Sequence, residues 1–287
     1  MGEGRRRKKL TAQVLEAHPL CCYCGGKTAA TTADHVPAKI MFWGKRRPNG
    51  LEVGACQAGN NGTRSLEQVA AVFARVSVQD EHTAEQRAEF REIVGSVSRA
   101  FPGWQQELFP GQQATEKVAA IIGLTGNDYK VVAVGPLLQD AFFTVGAKLA
   151  FALHREYTGK ILPPEGVVEV AFETNVPRSK TLPADWFAGF GPTQTLKQGD
   201  WTSDGHFAYR AEWNPDGSVS RFVCHIGKAL AFFLFVAAHG DEMPETTKQM
   251  RRFRPGDLQR ADGSARGRYI TPLPVTRTGG AASGTLG

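Results

Sequence analysis

Side chains with catalytic potential are concentrated in the first 64 residues. Asp34 and His35 are adjacent, and Asn60 lies further along the chain. Hydrolysis of a phosphodiester needs a base that activates water and a cation, held by oxygen ligands, that stabilises charge on the phosphate. In that chemistry His35 would deprotonate water, while Asp34 and the amide oxygen of Asn60 would hold the cation. Successive strand residues point to opposite sides, so this site requires a local bend, which the loop beginning at Val36-Pro37 would supply.

Cysteines flank the Asp-His pair. Four of the five lie nearby in the chain: Cys21, Cys22, Cys24 and Cys56. In a cytosolic chain, clustered cysteines are metal ligands more often than disulfide partners. We therefore expect a cysteine-bearing knuckle at the Gly25-Gly26 turn. The fifth, Cys224, stands in an apolar run and is interpreted as a core residue.

Short elements must position these residues. The sequence predicts a basic helix over 5–17, a strand at 31–36, a basic loop and a second strand at 51–56. A helix is expected from about Asn61, where Ser65 and Gln68 have the spacing of a capping box. The predicted order is strand, loop, strand, helix.

Beyond residue 80 the pattern changes. Thr83 and Gln86 predict a second capping box and a helix to about Ala100. Further helices are expected at 114–123 and 137–157, strands at 130–135 and 167–174, and an irregular segment at 176–200. An antiparallel meander is expected at 206–213, 219–226 and 229–238. The fold class is therefore α+β: an N-terminal module (1–79), a larger α+β domain with an antiparallel sheet (80–271) and a flexible tail (272–287).

Positive charge is unevenly distributed. The net charge is +6, yet residues 1–64 alone carry 11 Lys and Arg against 4 Asp and Glu. Such a segment suits a polyanion such as nucleic acid, although a solubilising segment is the alternative. The candidate phosphate contacts are Arg5, Arg6, Arg7, Lys8, Lys9, Lys45, Arg46, Arg47 and Arg64. Arg64 and the 45–47 loop can equally be ordinary solvated surface.

Membrane association is not expected. The most apolar stretch, 229–238, is too short to span a bilayer and predicts a buried strand. The basic start is not followed by an apolar region of the secretory type, so we expect no signal peptide and a cytoplasmic location.

The segments CCYCG, TADHVPAK, PNGLEV and ACQAGNNGTRSLEQ, within about residues 18–70, together resemble the HNH endonuclease family. The core of that family is a ββα-metal fold, and the resemblance covers about a quarter of the chain. It implies that His35 is the general base and that Asp34 and Asn60 bind one divalent cation, Mg²⁺ or another such as Mn²⁺ or Ni²⁺. It also implies that Asn49 braces the loop. Asn61 could exchange roles with Asn60, because one sequence does not set the register.

The cysteine pattern departs from this family. Many members hold the hairpin with a structural zinc on two Cys-x-x-Cys pairs. Here Cys21 and Cys24 form the first pair, but Gly59 stands where the second pair would place its last cysteine. Either Cys21, Cys24 and Cys56 bind Zn²⁺ with an outside fourth ligand, or zinc is lost and packing holds the hairpin.

The sequence thus predicts a metal-dependent endonuclease that hydrolyses phosphodiester bonds, in DNA rather than RNA by the resemblance. One module would cut one strand, so a double-strand break would need a homodimer or two events. Two alternatives remain open. One is a non-catalytic nucleic-acid-binding protein with a degenerate HNH fold, and the other is an effector-sensing or structural protein whose activity lies in the C-terminal domain.

Overall fold

The computed structural model describes residues 2–75, 82–108, 134–174, 189–227, 229–240 and 250–260. The predicted helix at 114–123, most of the predicted strand at 130–135, the boundary near residue 80 and the tail at 272–287 lie outside these ranges.

Six helices are named here. They are α1 (Gly2–Ala17), α2 (Gln57–Asn61), α3 (Arg64–Arg75), α4 (Ala84–Ala100), α5 (Trp104–Leu108) and α6 (Pro136–Thr158). The capping box predicted at Thr83 and Gln86 is confirmed, with both reciprocal hydrogen bonds formed at the start of α4. The capping box predicted at Ser65 is wrong, because Ser65 already lies inside α3. The chain turns into a helix earlier, at Cys56, whose sulfur accepts a hydrogen bond from the Gly59 N–H.

The strands form one large sheet and two hairpins. They are β1 (Thr32–His35), β2 (Glu52–Ala55), β3 (Val167–Thr174), β4 (Lys197–Gln198), β5 (Trp201–Thr202), β6 (Phe207–Trp213), β7 (Val219–Ile226), β8 (Leu230–Ala237) and β9 (Arg251–Phe253). The large sheet is antiparallel throughout, in the order β6-β7-β8-β3-β9. The protein is therefore a mixed helix and sheet fold with an antiparallel sheet, as the sequence predicts. The β6-β7-β8 meander is the predicted one.

Helix α6 packs directly on the large sheet. A Cβ atom on Gly146 would lie only 2.4 Å from Cγ1 of Val170, so glycine is what allows helix and sheet to approach this closely. Edge-to-face contacts extend the interface, with the Phe142 and Phe172 rings 5.1 Å apart. The many apolar residues of this long helix are therefore explained by burial on more than one side.

The β1–β2 hairpin lies between two helices. On one face α1 approaches so closely that a Cβ on Gly54 would lie 2.1 Å from the His18 carbonyl oxygen. The opposite face turns toward α6, where Asp34 of β1 pairs with Lys148 and where Tyr23, from the turn before β1, makes an edge-to-face ring contact with Phe151. One continuous hydrophobic core includes residues of the hairpin, of α3, of α6 and of the large sheet. The predicted nuclease module thus shares its core with the rest of the described chain.

Candidate functional site

The register of the β1–β2 hairpin places the side chains of Asp34 and His35 on opposite faces of the hairpin. In the antiparallel pairing Asp34 lies opposite Val53, and His35 lies opposite Glu52. Side chains alternate between the faces of a strand, so Asp34 points into the core while His35 points to the other face. The local bend that the sequence-based site required does not bring the two side chains together.

The Asp34 carboxylate is buried and has two partners in the interior. Its Oδ2 atom accepts a hydrogen bond of 2.7 Å from the Tyr23 hydroxyl and lies 2.7 Å from the Lys148 ammonium. Burial, together with the charge of Asp34, raises the pKa of Tyr23 well above its ordinary value, so the phenol stays protonated and donates. Only 5% of Asp34 is exposed.

Lys148 is the cation of this buried cluster. Besides Asp34 it pairs with Glu67 of α3, and it donates to the Thr63 hydroxyl at 3.1 Å. Burial alone would lower the pKa of Lys148, but the two carboxylates outweigh burial, raise its pKa and keep the ammonium charged. Burial raises the pKa of Glu67, against the opposing effect of Lys148. The ammonium is thus held by oxygen atoms from β1, α3 and the turn before α3.

His35 has a different partner. Its Nδ1 atom lies 3.1 Å from Oε1 of Glu52, and its side chain is 21% exposed. A carboxylate can only accept, so Nδ1 carries the hydrogen and Nε2 is the nitrogen left to take up a proton. Burial alone would raise the pKa of Glu52, but the hydrogen bond from His35 and the charge of Arg47 lower it to about 2. An ionised carboxylate that orients an imidazole in this way also stabilises the imidazolium formed when Nε2 is protonated.

Arg47 supports this pair from inside. Its guanidinium is 2.8 Å from the Glu52 carboxylate and donates to the carbonyl oxygens of Val36, Pro48, Gly50 and Leu51. The side chain has no exposed surface. Arg47 is therefore not a surface contact for phosphate, contrary to the sequence-based prediction. It braces the loop between the two strands.

The contacts given for the three candidate asparagines do not include His35. The Asn60 amide donates to the Thr32 hydroxyl at 3.0 Å, and Asn61 is exposed. The backbone N–H of Asn49 donates to the Gln198 side chain at 3.2 Å. Bracing of the loop, which the resemblance assigned to Asn49, is carried by Arg47. The sequence analysis did not identify Glu52 and assigned Arg47 a different role. The signal for Glu52 was available, because pairing the two predicted strands places it opposite His35.

A divalent cation at the predicted position does not fit this arrangement. The Asp34 carboxylate is already paired with Lys148, the Asn60 amide is bonded to Thr32, and His35 lies on the other face of the hairpin. Among the described residues there is no group of three or more His, Cys, Asp or Glu side chains that could hold a metal ion. We therefore assign no catalytic step to Mg²⁺.

The cysteine knuckle is packed tightly. The Cys24 sulfur lies 3.0 Å from the Thr28 hydroxyl, and burial raises the pKa of Cys21 to about 12. A Cβ at Gly59 would lie 3.4 Å from the Cys56 sulfur and 3.2 Å from the Tyr23 ring. The Tyr23 ring thus fills the space beside Gly59, where the family pattern would place its fourth cysteine. Cys21, Cys24 and Cys56 are described residues and do not form a group that could hold a metal ion, so zinc on these three cysteines stays a prediction.

The remaining basic candidates differ in exposure. Lys45, Arg46 and Arg64 are exposed. Arg5 to Lys9 lie on helix α1, and their side chains fall outside the described part of the structure. Lys45 and Arg46 directly precede Arg47 in the loop, and Lys45 lines a cavity together with Gln68 and Glu89.

No helix in the described ranges is long and apolar enough to cross a membrane. Comparison with models of protein families, with curated proteins and with solved structures found no match. The HNH resemblance therefore rests on the residues themselves.

Proposed function

We propose that this protein is a phosphodiester hydrolase of the HNH type that cuts nucleic acid, DNA rather than RNA, with His35 as its general base. The observation that carries the proposal is the His35–Glu52 pair. It joins a partly exposed imidazole to a buried, ionised carboxylate, beside a loop that bears exposed cations. The strand, loop, strand and helix order of β1, β2 and α2 supports the same reading.

In the proposed reaction Nε2 of His35 takes a proton from water as the water oxygen attacks phosphorus. Glu52 stabilises the resulting imidazolium and keeps the ring in place, and Arg47 holds Glu52. Lys45 and Arg46 bind the phosphate backbone and position it. The bond from phosphorus to the 3′ oxygen breaks, the 3′ oxygen takes a proton from solvent water, and the imidazolium returns its proton to solvent. The products are the 5′-phosphate and 3′-hydroxyl ends that the resemblance implies.

A second function is favoured by one specific observation. In a metal-dependent HNH enzyme the acidic residue before the base must be free to bind the cation, and here Lys148 occupies Asp34. A protein that keeps the strand, loop, strand and helix order and the basic loop but does not cut could have Asp34 paired with Lys148 in this way. The second candidate is therefore a non-catalytic nucleic-acid-binding protein.

Plasmid nicking separates the two functions. Supercoiled plasmid is incubated with the protein in Mg²⁺, in Mn²⁺ and in EDTA, and DNA binding is measured in parallel. Under the first proposal the wild type nicks the plasmid, and His35→Ala lowers the rate by about 10²–10⁴-fold while binding is retained. His206→Ala, at an exposed histidine outside the pair, is the matched control and should cut normally.

Two results would overturn the hydrolase proposal. Salt-sensitive binding without nicking under any of the three conditions would establish the non-catalytic function. Equal loss of binding and nicking in His35→Ala would make His35 a structural residue. A requirement for added cation would show that a metal binds somewhere other than the arrangement predicted around Asp34.

A further inference from the structure

A large cavity lies away from the His35–Glu52 pair. It has a volume of about 810 Å³ and is formed where the end of α1, the last turn of α6 and the turn between β6 and β7 meet. Volumes of about 300–1,000 Å³ are typical of small-molecule sites. The size therefore suits a ligand of several groups rather than a single small ion.

One wall of the cavity is cationic. Among the described lining residues the cations are Arg155 and Lys160, beside the imidazoles of His18, His154 and His239, and one carboxylate is present, that of Asp216. The Lys160 ammonium donates to the Asp216 backbone carbonyl at 2.6 Å, whereas the Asp216 carboxylate accepts from the Ser218 N–H. Arg155 likewise donates to a backbone carbonyl, that of Gly159. These carbonyl oxygens orient the two cations, and Lys160 also interacts with the Asp216 carboxylate, whose pKa it helps to lower.

Two of the histidines lie close to these cations. Burial lowers the pKa of His18, and the nearby charge of Arg155 lowers it further. Burial and the charge of Lys160 lower the pKa of His154 to about 4, so this ring is neutral, with Nδ1 2.9 Å from the Ser220 hydroxyl. The smaller contributions of Arg155 and Lys160 show that both cations lie near these rings, on the side of the cavity that would attract an anion.

The other wall is apolar. Leu20, Pro19, Ile161 and Pro163 line it, and 46% of Leu20 is exposed. A large aliphatic side chain exposed beside a cationic wall is suited to a ligand with one anionic end and one flat or apolar end.

We propose that this cavity binds the phosphoryl group of a nucleotide, with Arg155 and Lys160 on the phosphate and the base against Leu20 and Ile161. A free mononucleotide and the 5′-phosphate end of a DNA strand present the same chemistry. The site does not depend on the proposed hydrolysis, because none of its lining residues belongs to the His35–Glu52 pair.

Calorimetric titration of the full chain tests the site with four probes. They are AMP, adenosine, and a trinucleotide with and without a 5′-phosphate. AMP should bind at least tenfold more tightly than adenosine, since each charge-assisted hydrogen bond contributes about tenfold or more. Tighter binding of the phosphorylated trinucleotide than of AMP identifies a DNA end as the ligand, and the reverse identifies a free nucleotide.

Variants localise the binding. Lys160→Glu and Arg155→Ala should each weaken AMP binding by about tenfold or more, and Lys197→Ala, at an exposed lysine outside the cavity, should leave it unchanged. Melting temperatures confirm that the variants are folded, and the conservative Arg155→Lys variant replaces Arg155→Ala if the latter is not. Equal binding of AMP and adenosine, or unchanged AMP affinity in folded Lys160→Glu, would overturn the proposal.

Discussion

At the scale of single residues, neighbours in the chain have opposite environments. Asp34 is buried against an ammonium and a phenol, whereas His35 lies near the surface against a carboxylate. A buried ion pair stabilises only while both partners are present, because a lone buried charge is costly. The environment therefore makes Asp34 a core residue, whereas His35 keeps part of its ring exposed.

The dependence of the free energy of unfolding on acidic pH should reveal the interactions of the Glu52 carboxylate. The folded-state pKa of Glu52 is about 2 against an ordinary value of 4.5. Its contribution is therefore present above pH 4.5 and is lost as the pH falls from there toward 2. Between pH 5 and pH 3 the free energy of unfolding of the wild type should fall by about 2 kcal/mol more than that of Glu52→Gln, measured by urea denaturation. Glu173→Gln, at an exposed carboxylate, should follow the wild type, and equal slopes in all three proteins would contradict the low pKa.

Removal of Lys148 should be severely destabilising. Lys148→Met leaves Asp34 and Glu67 buried beside each other without a cation, at a cost of about 3–5 kcal/mol in the free energy of unfolding. Adding Asp34→Asn and Glu67→Gln to that variant should recover much of the loss, because no uncompensated charge then remains. Denaturant unfolding measures both effects. Lys197→Met, which removes an exposed lysine, should stay within about 0.5 kcal/mol of the wild type.

At the scale of elements, one arginine organises the loop between β1 and β2. The Arg47 guanidinium donates hydrogen bonds to loop carbonyl oxygens that would otherwise lack a donor. It also holds Glu52 opposite His35. The planar guanidinium of arginine can donate to several carbonyl oxygens at once. The ammonium of lysine, on its flexible side chain, is less suited to this.

Arg47→Lys should therefore loosen the loop although it preserves the charge. We expect a loss of about 2 kcal/mol in the free energy of unfolding and faster amide hydrogen exchange across residues 36–51. Under the proposed function the nicking rate should fall as well, because Glu52 is less firmly held. The neighbouring exposed substitution Arg46→Lys is the matched control, and similar exchange in the two variants would contradict the bracing role.

At the scale of the whole molecule, the N-terminal hairpin and the large sheet are joined through α6. The same helix supplies Lys148 to the Asp34 cluster, Phe151 to the Tyr23 ring and Gly146 to the sheet contact. The hydrophobic core that results is continuous across these elements. The predicted nuclease module depends on this helix for both its charge balance and its packing.

Residues 1–79 expressed alone should consequently not form the hairpin structure. Without α6, Asp34 and Glu67 lose their cation, and Tyr23 loses its ring partner. Heteronuclear NMR and thermal melting are the measurements, and the full chain is the reference. We expect poorly dispersed spectra and no cooperative transition for the fragment, and a well-dispersed spectrum with a sharp transition would show that the module folds by itself.

Local patterns in the sequence were sufficient to predict many of the helices and strands. Tertiary contacts decided which side chains pair with one another and which are buried. The Thr83 capping box, the apolar residues of α6 and the alternation of the meander strands each depend on neighbours in the chain, which is why they were predictable. The partner of Asp34 is more than a hundred residues away, at Lys148, and no periodicity or spacing encodes such a pairing. Arg47 looked like a surface cation by composition, and only the folding of its loop around the guanidinium buried it. Ion pairs and hydrogen bonds in a shared core thus determined which candidate side chains are buried and which keep an exposed functional group. The order of the motifs in the sequence did not determine this.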